Sequence, residues 1–341
     1  MKEFGSDFHY VESVGVGKTL FDYFPNASFY ANGRQSLQQL ITQNKWKRIW
    51  IPEYFCYVIV DSIKKNDIQI CFYKDNPLSN DELEISKLEF EEGDVLLRMN
   101  YFGIRRFRDN DIIKIPVIED HSHDLIGDWP LNSNADWCFA SLRKTLPISE
   151  GGILWSPKNH YLPMLPEQTN RNVLLSEKRW RAMRLKKEYL RNERADKEEF
   201  RKLFMETESD FDELVVSPIT QDCTNFLSNF NMEGWQQIKQ RNWAILSDIR
   251  SDKMCLVKRE KKECNNFSFT LFFRTSVLRE NVRHRLILND IYPAVLWAIP
   301  DDKKNAKDIS DKMLSIACDG RYNYDEILIL KKMIFNVLED V

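Results

Sequence analysis

Ala135-Asp136-Trp137-Cys138-Phe139-Ala140-Ser141-Leu142-Arg143-Lys144-Thr145-Leu146-Pro147-Ile148-Ser149-Glu150-Gly151-Gly152 is the stretch on which the reading of this chain turns. Residues 136–141 are apolar on both faces, the pattern of a strand buried within a covered sheet. Ser141 stands three residues before Lys144, and a Gly-Gly pair begins seven residues after it. Upstream, Val117-Ile118-Glu119-Asp120 reads as a second buried strand ending in an acid. A lysine just past one strand end and an aspartate at another are thus set up on the same edge of a sheet.

Working outward, residues 48–52, 68–73, 94–99, 115–120, 136–141 and 152–155 each predict a short apolar strand. Helical patterns fall between several of them. One runs from Cys56 to Lys64. Another follows the Asn32-Gly33 loop, with apolar residues at 37, 40 and 41 on one face. Apolar strands alternating with helices indicate an α/β domain with a mostly parallel central sheet. Ligands of such sheets bind at the carboxyl ends of the strands, where Pro52, Asn100, Asp120 and Ser141 fall.

The second half of the chain changes character. Residues 170–215 are dense in both signs of charge and predict solvated amphipathic helices with i,i+4 pairing. Met232 to Ile249 predicts a long helix joining two domains. Beyond it, a β run at 267–273, a helix at 276–289, short β segments at 291–293 and 295–297, a short segment at 310–316 and a closing helix at 324–338 predict a smaller α+β domain. The expected division is a large domain at 1–231 and a linker helix with a small domain at 232–341.

Composition narrows the function classes. The 341 residues carry a formal net charge of -3, which argues against non-specific nucleic-acid binding. No apolar run approaches the roughly 20 residues of a membrane span, and the N-terminal residues lack the apolar core of a signal peptide. Seven scattered cysteines, with no Cys-x-x-Cys pair, read as reduced thiols of a cytoplasmic protein.

A strand-end lysine and a strand-end aspartate are the pair that pyridoxal phosphate (PLP) chemistry needs: the lysine for a Schiff base, the acid for the pyridinium proton. Other motifs weigh less. Gly15-Val16-Gly17-Lys18-Thr19 lacks the first glycine of a P-loop, since that position is Glu12. For Asp120-His121-Ser122-His123-Asp124 three readings stand: a metal cluster short of a third ligand at diagnostic spacing, a cofactor contact, or a satisfied loop. No metal is expected.

Seven segments in order resemble one family. They are Phe29–Leu37, a phosphate-binding turn; Ile51–Cys56, a Pro-x-Tyr-x-Cys turn; Asn100-Tyr101-Phe102-Gly103; Val117–His123, an Ile-Glu-Asp-x-x-His segment; Ser141–Pro147 with Glu150-Gly151-Gly152; Gln240–Leu246; and Ile291-Tyr292-Pro293 with Trp297 and 314–322. Together they resemble the DegT/StrS-type PLP-dependent aminotransferases, which include sugar aminotransferases. The resemblance implies the PLP-dependent transferase fold type I, related to aspartate aminotransferase. It implies a homodimer with sites at its interface, and transfer of an amino group from an amino acid, glutamate by family habit, to a keto substrate such as a keto-sugar nucleotide.

The resemblance also implies roles for single residues. Lys144 would form the Schiff base and then move protons, and Asp120 would pair with the pyridine nitrogen. His123 would contact the cofactor near its phenolic oxygen. Ser141 and the backbone at Gly33, Arg34 and Gln35 would hold the phosphate. Cys56 would cover the ring face by strict spacing, with Phe55 its neighbour. Arg34 and Cys56 depart from the family's small hydroxyl and aromatic residues. Two other readings stay open: a PLP-dependent lyase or dehydratase, and a non-catalytic relative that acts as a binding protein.

Overall fold

In a computed structural model the described residues form twelve strands: β1 (Phe4–Gly5), β2 (Ser28–Tyr30), β3 (Arg48–Pro52), β4 (Gln69–Tyr73), β5 (Asp94–Met99), β6 (Val117–Asp120), β7 (Trp137–Ser141), β8 (Gly152–Trp155), β9 (Met254–Leu256), β10 (Phe269–Phe273), β11 (Ile291–Tyr292) and β12 (Met313–Ile316). All residues are described except 1, 2, 13, 14, 80, 194, 195, 258, 262 and 263, and of Asp212 only the backbone.

The central sheet has seven strands in the order β2-β8-β7-β6-β5-β3-β4. β4, β3, β5, β6 and β7 run parallel, while β8 is antiparallel to both its neighbours. All six residues of β5 and all four of β6 are buried, so both faces of the sheet are covered. Each fully buried Leu, Ile or Val contributes roughly 1.5–3 kcal/mol relative to exposure.

The six strands expected from periodicity are all present. The seventh, β2, falls where the sequence predicts a loop leading into a helix. Three residues are too few to show a period, and β2 is fixed instead by its ladder to β8, Ser28 opposite Leu154 and Tyr30 opposite Gly152.

The helix Gly33–Asn44 positions the site. Extended Asn32 caps its N-terminus, its side chain accepting from the Gln35 N–H at 3.1 Å; such a cap contributes about 1 kcal/mol. Leu37, Leu40 and Ile41 are buried on one face. Left-handed Lys45 ends the helix, its N–H bonded to Ile41 O.

The C-terminal part is built on the antiparallel sheet β12-β10-β9. Leu271, Phe273, Leu314, Leu330 and Ile334 share its core. The β reading of 295–297 is replaced by irregular chain. Ala294 bridges to Ser315, but beyond it the Leu296 N–H turns to Met313 Sδ and the Leu296 carbonyl accepts from the Tyr54 hydroxyl, so the ladder does not continue. β1 pairs with β11, and Gly5 N donates to Tyr322 Oη at 2.7 Å, tying the N-terminal residues to this part. No described helix is long and apolar enough to cross a membrane.

Candidate active site

Two glycines let three turns meet at the carboxyl end of the sheet. A Cβ on Gly33 would stand 3.1 Å from the backbone of Ser141, and one on Gly152 would stand 2.5 Å from Gly33 N. No side chain fits in the second gap, so the start of the Gly33–Asn44 helix rests directly on the ends of β7 and β8. The first helical turn, with its favourable dipole, thereby lies against the edge where Ser141 and Lys144 emerge.

Lys144 closes a short 3-10 turn, Leu142–Lys144, directly after β7. Buried Leu142 anchors that turn, its N–H donating to Gly151 O at 3.0 Å. The Lys144 Nζ is buried and makes no hydrogen bond among the described residues. It lies 5.3 Å from the centre of the Trp297 ring. An unpaired buried ammonium is costly, so this nitrogen is placed for a partner the chain does not supply.

Asp120 ends β6. Its Oδ1 accepts from Ser122 N at 2.8 Å, while its Oδ2 is buried without a partner. Asp120 and Phe139 are cross-strand partners, so their side chains leave the sheet on the same face. Phe139 lines a cavity of about 240 Å³ that is also lined by Gly33, Arg34, Cys56, Ser122, Ser141 and Lys144.

His123 is the third group of this kind. Burial, reinforced by the charges of Lys144 and Lys239, holds its pKa well below the ordinary histidine value, so the ring is neutral. Its Nδ1 accepts the Phe102 N–H at 3.2 Å, which assigns the ring proton to Nε2. That Nε2 is buried and has no acceptor. The ring is held between Phe267, at 4.5 Å, and Trp297, stacked at 5.4 Å and 15°. Phe102 itself sits at φ 53°, a left-handed conformation that costs a non-glycine residue about 1–3 kcal/mol and aims its N–H at His123.

The other expected site residues divide. Arg34, Ser141 and Cys56 reach the 240 Å³ cavity, and Cys56, rather than Phe55, faces it. Phe55 is fully buried, with its ring 6.3 Å from that of Trp297. Gln35 turns away. Its N–H is taken by the Asn32 cap, its Nε2 donates to Val215 O at 3.1 Å, and its Oε1 accepts from Ser217 N. Within the turn expected to hold phosphate, Gln35 is engaged by the chain itself: the cap takes its amide, and its side chain anchors residues 215–217.

Sequence reading missed three contributors. Trp297 entered it only as a landmark and Ser122 only as part of a His-rich run. Glu208 was read as part of a solvated helix face, and it is exposed; it nonetheless accepts from Arg143 at 2.8 Å and from Arg179 at 3.1 Å, bridging two guanidiniums beside Lys144. Against the upward push of burial, those charges hold its carboxyl at about 2. Glu208 lies in an acidic run, Glu206 to Glu213, and its partners are far away in sequence, so nothing local marked it.

Glu119, His121 and Cys138 come close enough together to hold a metal ion. Their atoms are already committed to each other and to neighbours: Glu119 Oε2 meets His121 Nε2 at 2.9 Å and the Ser133 hydroxyl at 2.6 Å, and Asn110 donates to Oε1 at 2.8 Å. This is a closed hydrogen-bond network beneath the site. The seven cysteines are free thiols. Lys18, of the P-loop-like run, faces Glu233 at 3.7 Å.

No protein-family model and no curated protein sequence matches the chain. Solved structures do. The PLP form of Spr1654 from Streptococcus pneumoniae superposes with a TM-score of 0.64 at 13% identity, covering 94% of this chain and 89% of that one. Helicobacter pylori PseC, an aminotransferase of pseudoaminic acid biosynthesis, gives 0.64 at 12% identity over the whole of both chains. NtdA from Bacillus subtilis, with bound cofactor PMP, gives 0.59 at 10% identity, covering 95% of this chain and 78% of that one. At such identities the likeness is one of fold, and it shows that the chain has the PLP-dependent transferase fold type I that the sequence led us to expect.

Proposed function

We propose that this chain is a PLP-dependent aminotransferase that moves an amino group from an amino acid, glutamate being our choice, to a keto acceptor of the keto-sugar nucleotide kind. One observation carries the reading. Three buried polar atoms, Lys144 Nζ, Asp120 Oδ2 and His123 Nε2, lack partners among the described residues, and they gather at one end of the sheet beside a 240 Å³ cavity. Native interiors rarely leave such atoms unpaired, and three together fit one polar ligand. Their chemistry fits PLP: an amine for its carbonyl, a carboxylate for its pyridinium, and a neutral N–H donor for its phenolic oxygen.

When bound, PLP supplies an electron sink that stabilises the carbanion formed at the amino-bearing carbon. The chain's residues do the rest. Ser141, Gly33 and Arg34 would receive the phosphate at the helix start. Asp120 would keep the ring nitrogen protonated, and its own orientation is set by Ser122 N. Lys144 would carry the moving proton on Nζ. Lys144 and Arg143 line both the 240 Å³ cavity and a second cavity of about 400 Å³ that reaches the C-terminal part, so the lysine stands between the two spaces. The Trp297 ring, its centre 5.3 Å from Lys144 Nζ, would shield the lysine from water.

The domain division at residue 231 and a homodimer belong to the same proposal. Tyr161, Met164 and Val215 are 92%, 90% and 69% exposed. Backbone carbonyls of Tyr161 and Val215 accept from Gln43 and Gln35 on the Gly33–Asn44 helix, which places this apolar patch along the helix that opens the site. A second copy laid on this patch would close the cavity mouth. Free cysteines support placement in a reducing cytoplasm.

The test is an absorbance spectrum of the purified protein with PLP, then with glutamate. A band near the visible edge that glutamate bleaches supports the proposal. A protein that takes up no PLP sinks it, and a band indifferent to every amino donor moves the chain to elimination chemistry.

A further inference from the structure

The 400 Å³ cavity on the far side of Lys144 carries a charge that the proposed reaction does not yet use. Its arginines are all engaged. Arg321 is paired bidentately with Asp319, at 2.8 and 3.0 Å. Arg179 pairs with Asp7 at 2.9 Å and shares Glu208 with Arg143. Two lysines remain. Lys144 belongs to the PLP reading above. The other is Lys239, on the third turn of the helix Met232–Leu246, 4% exposed and lining this cavity.

Lys239 makes no hydrogen bond and no ion pair among the described residues. Asp124 and Asp319 act on it through space, but neither pairs with it, and Asp124 already accepts from Gly127 N at 2.9 Å. Burial is the larger influence and lowers its pKa. Lys239 also shares the walls of this cavity with Lys144. A buried, unpaired cation in a cavity that is otherwise neutralised calls for an anion from outside. The remaining lining is mixed: Phe8, Ile148, Met183 and Phe267 give apolar walls along which a short carbon chain can lie with a carboxylate at Lys239.

We propose that Lys239 is the counter-ion for a substrate carboxylate in this cavity, and that it selects the amino-acid donor, and the keto acid it becomes, over neutral amines. The inference rests on the proposed reaction for the identity of the carboxylate's bearer, but its test does not pass through that reaction.

The probe is glutarate, a five-carbon dicarboxylate with no amino or keto group, titrated calorimetrically into the PLP-supplied protein at low ionic strength. Wild type is expected to bind it. Lys239→Met should weaken binding roughly tenfold or more, the loss typical of one charged hydrogen bond. Lys239→Arg should stay within about threefold, because the charge remains. The thermal midpoint of Lys239→Met in the absence of ligand should hold or rise, because the substitution removes an uncompensated buried charge. Four results overturn the inference: no glutarate binding by wild type, equal binding by Lys239→Met, a Lys239-dependent site for inorganic phosphate that ignores glutarate, or a sharp fall in the midpoint of Lys239→Met. Lys239-dependent glutarate binding by a protein that shows no cofactor band would sink the aminotransferase reading and leave this one standing.

Discussion

Two groups of buried polar side chains lie on the same sheet and are treated in opposite ways. The first follows β4 and β5. Asp81 accepts from Arg98 and Arg108, each at 2.8 Å; Asp75 accepts from Arg105 at 2.6 and 3.0 Å; and Arg108 reaches Glu260 at 2.6 and 2.7 Å. Apart from Arg105 Nε, its charged atoms have partners within the chain. The second group is Lys144, Asp120 and His123, each with a buried atom left over. Glu260 apart, the polar atoms compared are buried in both groups. What separates them is saturation: the first group holds a loop in place, and the second leaves its valences open for something that arrives later.

That contrast predicts opposite responses to mutation. The largest effect belongs to Lys144→Ala. Turnover should fall by roughly 10⁴-fold, about 5.5 kcal/mol of barrier, while urea unfolding changes by less than about 1 kcal/mol. A large loss of stability instead would mean that the lysine serves the fold.

Asp81→Ala reverses the pattern. It leaves guanidiniums buried without their carboxylate and should cost about 3–5 kcal/mol of unfolding free energy. If Asp81→Ala melts like wild type, saturation does not mark a structural role here, and the comparison fails.

Asp120→Asn should come next. It keeps an acceptor for Ser122 N but loses the charge, so catalysis should drop by about 10²–10³-fold with stability nearly unchanged. Parallel loss of both would move Asp120 into the structural group.

Glu150 sharpens the comparison from between the two groups. Its Oε1 accepts from Thr220 N at 2.6 Å, and its Oε2 is buried without a partner. Burial pushes its carboxyl up to about 7, from an ordinary 4.5. Between those values the folded chain binds more protons than the unfolded one, so this residue's contribution to stability falls as pH rises from about 4.5 to about 7 and is flat above. Glu150→Gln should flatten that slope and raise stability at pH 8 by about 1–3 kcal/mol. An unaltered pH profile of unfolding would show that the carboxyl finds a proton or partner elsewhere.

The sheet was largely legible because buried strands of four to six residues bounded by turn residues leave a local trace; β2 left none, since its three residues are defined only by β8. Lys144 and Asp120 were legible for the same reason: each sits in a short run whose order carries the meaning. Trp297 and Glu208 reach the site from distant segments, and a charged helix reads as solvated until its partners are seen. Gln35 lies in the turn read as a phosphate cradle, and the Asn32 cap takes its amide, a competition that sequence order does not reveal.

The most direct measurement is chemical. The PLP-treated protein is reduced with borohydride, digested, and its peptides are weighed. The account predicts the added cofactor mass on the peptide containing Lys144 and its loss in Lys144→Ala. The same mass on Lys239, or on no lysine at all, would contradict it.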